Sequence, residues 1–368
     1  MTSSAPDRTK LLLVIPTLDR SGAEKQFCLL ATGLSREGVD VRVLVLSRGG
    51  PLQRDLEEAG IHVEILHKWG RIDPRPIWRI RRVIRDWQPD TVLSALFSAN
   101  TTARLATVGM KSPPRRIISE RCVDSWKASW QRKLDRLLIP YTDLLIANSE
   151  SVREFYQQLG FPSDKIQVIA NGVTPPAAPA MTYEQLCEQI GVPSDARLVA
   201  YVGRLAPQKR IRDLLWGAQL IRQANDKVHL LVIGDGPERN ELELYAEDVE
   251  AASHVRFLGH REDAASLLHL AEAFWLASEY EGMSNSLMEA MAAGKPVVVS
   301  DIPPNRELVI HEQDGLIVNL GDSVGLMQYT LKLLENPDWA ARLGSAAAEK
   351  MARRYSIEQM ISRFVDAI

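Results

Sequence analysis

Residues 274–300 read FWLASEYEGMSNSLMEAMAAGKPVVVS, and their local pattern sets the expected fold. Phe274–Ala277 is a short apolar run, and Val297–Ser300 is a second. Between them lie a loop holding Glu281, Gly282 and Met283 and a helical segment that begins near Ser284. Gly294-Lys295-Pro296 ends that segment, because glycine takes a left-handed cap and the residue before proline avoids helix. Strand, helix and strand in this order form a parallel βαβ unit. The amides of Ser284, Asn285, Ser286 and Leu287 are then orphan donors at a helix N-terminus, which suits an anion. Glu289 falls in the second turn of the helix. A carboxylate on each side of an anion fits a ligand with hydroxyls beside phosphate, since an ionised carboxylate only accepts. The same spacing also fits a Ser284 N-cap with both glutamates solvated.

The pattern extends in both directions. Upstream of residue 172, apolar runs at Leu11–Pro16, Val41–Leu46, Val63–Leu66, Thr91–Leu96, Ile117–Ser119, Leu144–Asn148 and Val168–Ala170 read as buried strands. Helical periodicity separates them at 22–36, 74–87, 99–108, 128–138 and 150–159. A Pro/Ala run from Gly172 to Ala180 reads as a linker. The alternation then restarts at Leu198–Val202, Val228–Ile233, Val255–Leu258, Phe274–Ala277, Val297–Ser300 and Leu316–Val318, with long helices at 337–354 and 357–367. The expectation is an α/β protein of two Rossmann-like domains, 1–175 and 176–354, with 355–368 packing back on the first. Substrate would lie where the two parallel sheets face across a cleft.

Composition agrees with a folded chain of this size. The 368 residues are 45% hydrophobic and 25% charged, which excludes a disordered or fibrous chain. Cys28, Cys122 and Cys187 are too few and too far apart for a disulfide framework or zinc site. No run of about 18 apolar residues occurs, so the expectation is a cytoplasmic protein without a membrane span. The net charge of −3 splits into +7 over residues 1–180 and −10 over the remainder. Residues 68–136 alone carry +10 and include Trp69, Trp78, Trp87, Trp126 and Trp130. Such a split suggests two domains with different partners. Arg79, Arg82 and Arg85 recur at helical spacing, with Trp78 and Trp87 beside them. That pattern leads us to expect peripheral binding at an anionic inner membrane face, although buried tryptophans and a solvated arginine face would read alike.

Three further segments follow strands. Gly203-Arg204-Leu205 leads to Lys209, and this pair of cations could neutralise a diphosphate without a metal. Ser21-Gly22-Ala23-Glu24 opens the first helix with capping-box spacing, and Gly22 would admit a ligand closely. Gly234-Asp235-Gly236-Pro237 lacks the third glycine of a dinucleotide fingerprint. No Walker A loop and no Asp-x-Asp pair occurs, so no metal and no cofactor is expected.

Taken in order, these segments resemble the retaining GT-B glycosyltransferases of family 4 over nearly the whole chain. The resemblance rests on Ser21 to Glu24, Ala170-Asn171-Gly172-Val173, Gly203-Arg204-Leu205 with Lys209, Gly234 to Pro237, Phe257-Leu258-Gly259 and, above all, Glu281 and Glu289 eight positions apart. It implies that the first domain takes an acceptor and the second a UDP- or GDP-sugar. Arg204 and Lys209 match the pair on the donor diphosphate, Glu289 the ribose carboxylate, and Glu281 the carboxylate facing the donor sugar. Gly22 matches the glycine loop near the diphosphate, and His260 with Arg261 lie where the base is held. Three departures stand out, and the first is small: the first glycine of the usual Gly-Gly-Ala-Glu reads Ser21 here. The family's double glycine after Val297–Ser300 reads Pro303-Pro304-Asn305. A histidine is also usual beside the reacting sugar, but none occurs from 68 to 228. Asn100, Glu120 or Arg121 is expected to occupy that region.

The expected partners are a nucleotide-sugar donor, a glycan or lipid-linked acceptor and an anionic membrane surface, with no nucleic acid. A sugar-nucleotide isomerase of the same fold, or a sugar-nucleotide-binding protein without catalysis, remains open from sequence.

Overall fold

The computed structural model describes residues 8–70, 73–123 and 127–368; Trp126 of the basic stretch lies outside them. Strands form at the expected places: β1 (Lys10–Thr17), β2 (Asp40–Arg48), β3 (His62–Ile65), β4 (Thr91–Ala95), β5 (Arg115–Glu120), β6 (Leu144–Ala147) and β7 (Ile166–Val168), then β8 (Arg197–Val202), β9 (Val228–Ile233), β10 (Val255–Gly259), β11 (Ala273–Leu276), β12 (Val297–Ser300) and β13 (Leu316–Val318). Among the described residues they make two sheets, ordered β3-β2-β1-β4-β5-β6-β7 and β10-β9-β8-β11-β12-β13. Every pairing is parallel.

The central strand β1 explains why the runs are continuous rather than alternating. Leu11, Leu13 and Ile15 enter one core with the helix Gly22–Arg36, while Leu12 and Val14 enter another with Ile80, Ile84 and Ala103. Helices cover both faces, so every position from Leu11 to Ile15 is apolar. The first compact unit ends at Gly172 and is completed by Ile357–Ile368; the second is Val173–Ser356. Met360 and Phe364 of the last helix, Ile357–Ala367, join the first unit's core. The helix Gly22–Arg36 accepts this neighbour closely. A Cβ on Gly33 would lie 2.0 Å from Ile361 Cδ1. One element escaped the periodicity: Leu52–Glu58 is helical, but Leu52 and Leu56 alone are buried in it, too short a stripe to stand out.

The tryptophans of the basic stretch separate. Trp69, Trp78 and Trp130 are exposed. Trp87 instead packs against the core beside Val83, and the Arg42 guanidinium lies over its ring at 4.4 Å. The ring is half-buried, with one side in core packing, and it lines a cavity together with Arg42, Arg79 and Arg82.

A buried histidine sets a pH limit on the second unit. His229 in β9 stacks on His254 with centroids 4.8 Å apart, and its Nδ1 has no partner. Burial, then the neighbouring charges of His254 and Arg256, push its pKa down to about 4. The folded chain therefore keeps the ring neutral, while the unfolded chain takes up a proton from pH ~6.5 downward. Stability from this site is complete above that pH and is lost as pH falls towards 4. Melting curves from pH 7.5 to 4.5 should show a smaller decline in Tm for His229→Gln than for the parent chain. Parallel declines would refute the assignment.

Candidate functional site

The second sheet reverses its strand order between β8 and β11. Successive crossovers turn away from one another there, which leaves a crevice outside the carboxyl ends of the strands. The loops after these two strands hold the residues singled out above. After β8 run Gly203, Arg204 and the short 3-10 turn Pro207–Lys209; after β11 runs the segment from Ala277 to Ser284. The loops are tied together, since the Glu279 amide donates to the Gln208 carbonyl at 2.8 Å. Lys209 Nζ forms an ion pair with Glu281 Oε1, and Ser278 Oγ donates to the same oxygen at 2.7 Å. Side-chain exposure is 14% for Lys209 and 9% for Glu281, so little water screens the pair. An ammonium has three donors, which leaves Lys209 capacity for further oxygens.

A chain of side chains holds Glu281 from behind. Asn305 Nδ2 donates to the Ser300 carbonyl at 2.9 Å, Ser300 Oγ donates to the Ser278 carbonyl at 2.6 Å, and Ser278 reaches Glu281. Pro303 and Pro304 open the short helix Pro303–Leu308, where missing amide protons cost nothing. The unusual Pro-Pro-Asn segment thus forms part of the support.

Arg204 is exposed, and its guanidinium makes no ion pair or hydrogen bond among the described residues. Its carbonyl accepts from Tyr201 Oη at 3.1 Å. Burial and the negative charge of Glu281 raise the Tyr201 pKa well above the usual phenol range, so the group stays a donor. Tyr201, Ser278 and Ser300 were given no role in sequence, and Asn305 was noted only as part of the Pro303-Pro304-Asn305 departure. A tyrosine inside the apolar strand LVAYV, immediately before Gly203, was the available signal.

Around the helix Asn285–Ala292, Gly282, Met283, Ser284 and Leu287 are buried, while Asn285, Ser286 and Glu289 are half-buried. Ser284 is the N-cap, and its Oγ accepts from the Leu287 amide at 3.4 Å. The Leu287 amide is therefore spent on the cap rather than left for an anion, contrary to the sequence expectation. His260 is exposed. Arg261 is held by both Asp263 oxygens at 2.8 and 2.7 Å, which directs its fork to a neighbour in its own loop.

In the first unit, Ser21 precedes the helix Gly22–Arg36 but does not cap it through its side chain. Its hydroxyl bonds directly to the Glu24 carboxylate, which also accepts from Thr17 Oγ1 at 3.1 Å. The expected capping box is replaced by this side-chain pair. Burial raises the Glu24 pKa, with its hydrogen bonds opposing the shift. Among the described residues no group of three or more His, Cys, Asp or Glu could hold a metal ion.

Comparisons with known proteins cover most of the chain. Residues 20–175 match the family model described as Glycosyltransferase Family 4, and residues 183–350 match Glycosyl transferases group 1. The lipopolysaccharide core biosynthesis glycosyltransferase LpsD of Rhizobium meliloti (strain 1021) is 27% identical over 348 residues, 94% of each chain. The UDP-Gal:alpha-D-GlcNAc-diphosphoundecaprenol alpha-1,3-galactosyltransferase of Escherichia coli is 34% identical over 187 residues, 49% of this chain and 48% of that protein. Among solved structures, Anabaena Alr3699/HepE in complex with UDP and glucose has a TM-score of 0.86 at 20% identity, covering 98% of this chain and 99% of that one. That likeness establishes a shared fold.

The close approach of the loops after β8 and β9 can be tested. Gly234 has φ +139°, and a Cβ there would lie 2.0 Å from the Gly203 carbonyl oxygen. Gly191 also has positive φ, +67°, but open space around it. Gly191→Ala should cost about 1 kcal/mol of stability from strain alone. Gly234→Ala should cost about 2–4 kcal/mol, because overpacking adds to strain. Denaturant unfolding measures both, and equal losses would mean the contact is not the constraint.

Proposed function

The chain belongs to glycosyltransferase family 4, and from that premise we propose that it moves a sugar, with retention, from a UDP- or GDP-sugar to a glycan or polyprenyl-linked acceptor in polysaccharide or glycoconjugate assembly. The observation that carries the reading is the buried Lys209–Glu281 ion pair at the strand-order reversal of the second sheet, with Arg204 free among the described residues on the same loop as Lys209. One cation, Lys209, pairs with the buried Glu281 carboxylate where an α/β sheet takes its ligand, and the exposed Arg204 lies on the same loop as Lys209. The names of the relatives support the reaction class: one acts in lipopolysaccharide core assembly, and another takes a diphosphoundecaprenol-linked acceptor. The complex of the HepE fold relative with UDP and glucose supports a nucleotide-sugar donor.

In the proposed reaction the acceptor oxygen bonds to the anomeric carbon as the bond from that carbon to the diphosphate oxygen breaks. The acceptor proton passes to the leaving diphosphate. Negative charge grows on the leaving group, where Arg204 supplies a fork and Lys209 a point charge. Glu281 orients Lys209 and accepts from donor-sugar hydroxyls, while Glu289 accepts from ribose hydroxyls. Gly22 with Ser21, and His260 with Arg261, are assigned to the diphosphate and base sides of the donor. No resident metal or cofactor is required in this scheme.

Transfer from radiolabelled UDP- and GDP-sugars to lipid extract tests it. Activity should survive excess EDTA. Lys209→Ala should lower kcat by on the order of 10²-fold, more than it weakens donor affinity, because its charge acts most strongly in the transition state. A folded variant with unchanged kcat would refute the clamp, and activity abolished by EDTA and restored by Mg2+ would refute metal independence.

We also propose that the first unit works on an anionic membrane surface. No helix among the described residues is long and apolar enough to cross a membrane, so the contact would be peripheral. On the helix Arg75–Trp87, residues Pro76, Ile80 and Ile84 are buried, while Trp78, Arg79, Arg82 and Arg85 share the exposed face. A cavity of about 490 Å³ beside it, lined by Arg42, Arg79 and Arg82 among others, has room for a phosphate headgroup. Arg82 and Arg85 both contact Asp86, which reduces the net charge on offer. Basic residues contribute about 1 kcal/mol each near an anionic leaflet. Co-sedimentation should show binding to vesicles containing phosphatidylglycerol, weakened by salt and by Arg79→Glu, and none to neutral vesicles. Binding indifferent to lipid charge would defeat the proposal.

A further inference from the structure

The carboxyl end of the first sheet holds a cation, Arg121, that has no counter-charge among the described residues. Arg121 follows β5 directly, and Asn148 follows β6 directly. The register pairs Glu120 with Ala147, so these two residues are next in line. Asn171, of the Ala170-Asn171-Gly172-Val173 segment, lies three residues beyond β7. Arg121 Nη1 donates to Asn171 Oδ1 at 2.7 Å, and Asn148 Nδ2 donates to the Arg121 carbonyl at 3.3 Å. Arg121 Nε is enclosed without a partner, and so is Oδ1 of Asn148, a residue only 3% exposed.

The carboxylates nearby are engaged elsewhere. Glu120 accepts from Asn100 Nδ2 at 2.9 Å and lies 3.6 Å from Lys127 Nζ. Asp135 holds Lys127 at 3.1 Å and Arg104 at 2.6 Å. These buried groups balance as two carboxylates against two cations. Among the described residues Arg121 has no ion-pair partner. Burial alone pulls its pKa down to about 10. A desolvated charge is unfavourable unless something pairs with it.

We propose that Arg121, oriented by Asn171, binds a phosphate oxygen of a sugar phosphate while Asn148 Oδ1 accepts from a hydroxyl of the same ligand. A guanidinium fork suits phosphate, and an unpaired amide oxygen beside it suits a sugar hydroxyl. The proposal rests on the glycosyltransferase reading, in which donor and lipid-linked acceptor each carry a sugar next to a diphosphate. The shared chemistry is therefore named here, and experiment separates the two sources.

The full chain is titrated calorimetrically with UDP, with GDP and with farnesyl-diphospho-N-acetylglucosamine, as the parent, Arg121→Gln and Arg121→Lys. Melting without ligand is recorded for each. Arg121→Gln should melt at or above the parent temperature, since it removes an uncompensated charge. It should lose about tenfold or more in affinity for one ligand, the scale of one charge-assisted hydrogen bond. Arg121→Lys should recover part of that loss. Loss for the nucleotide marks the donor as the source, and loss for the prenyl compound marks the acceptor. Nucleotide binding with no dependence on Arg121 in any arm overturns this proposal alone. A parent chain that binds none of the three overturns the proposal together with the reading beneath it. A ligand-free Arg121→Gln that melts far below the parent, with all affinities lost alike, assigns Arg121 a structural role and overturns the proposal.

Discussion

Within each sheet every strand runs in the same direction, and the chemistry of both units follows from that constraint. A parallel strand needs a crossover to return, so all strand-to-helix loops of one sheet emerge on a single edge. Residues distant in sequence then gather without any dedicated scaffold. Lys209 after β8 meets Glu281 after β11, 72 positions later. Arg121 after β5 meets Asn171 beyond β7, 50 positions later. The order reversal between β8 and β11 adds space at that edge, because the crossovers there leave in opposite directions. Glycine makes the approach possible where backbone meets backbone, as Gly234 does against the Gly203 carbonyl.

The two edges handle charge differently. In the second unit the cation and the carboxylate of the candidate donor site are paired with each other and braced by Ser278, Ser300 and Asn305. Preorganisation of this kind matters because a group already fixed does not have to be ordered during reaction. In the first unit the buried side chains of Arg104, Lys127, Glu120 and Asp135 pair with one another, although Arg104 Nη1 is enclosed without a hydrogen-bond partner. Breaking such a network by removing one partner is strongly unfavourable, so these residues read as structural. Arg121 stands outside that balance, which is why it carries the proposal and the buried network does not.

Each strand was legible because a two-sided parallel sheet demands continuous apolar runs, and periodicity marked the long helices equally well. The helix Leu52–Glu58 was not, since two buried leucines make no stripe. Glu281, Glu289, Arg204 and Lys209 could be singled out because each follows a strand and belongs to a spaced motif. Their supports could not. Asn305 and Ser300 act through backbone carbonyls that only folding brings near, and neither side chain carries a charge or a spacing to draw notice. The position of Trp87 was only partly legible: its spacing beside arginines placed it near the surface, but the contact with Arg42 from β2 comes from tertiary packing.

Local pattern by itself determined the strand and helix content and the division into two α/β units, while the family entered as a resemblance carried by the spaced motifs. These depend on short-range periodicity and on residues fixed by neighbours in sequence. Tertiary structure alone decided which charges are paired. Ser21 turns to Glu24 rather than capping its helix, Arg261 is spent on Asp263, and Arg121 lacks the carboxylate that adjacent Glu120 seemed to offer. Electrostatic partnership falls off with distance in space, not along the chain, and burial multiplies its strength. A sequence states which charges exist, and only the packed structure determines which of them water and neighbours leave unanswered.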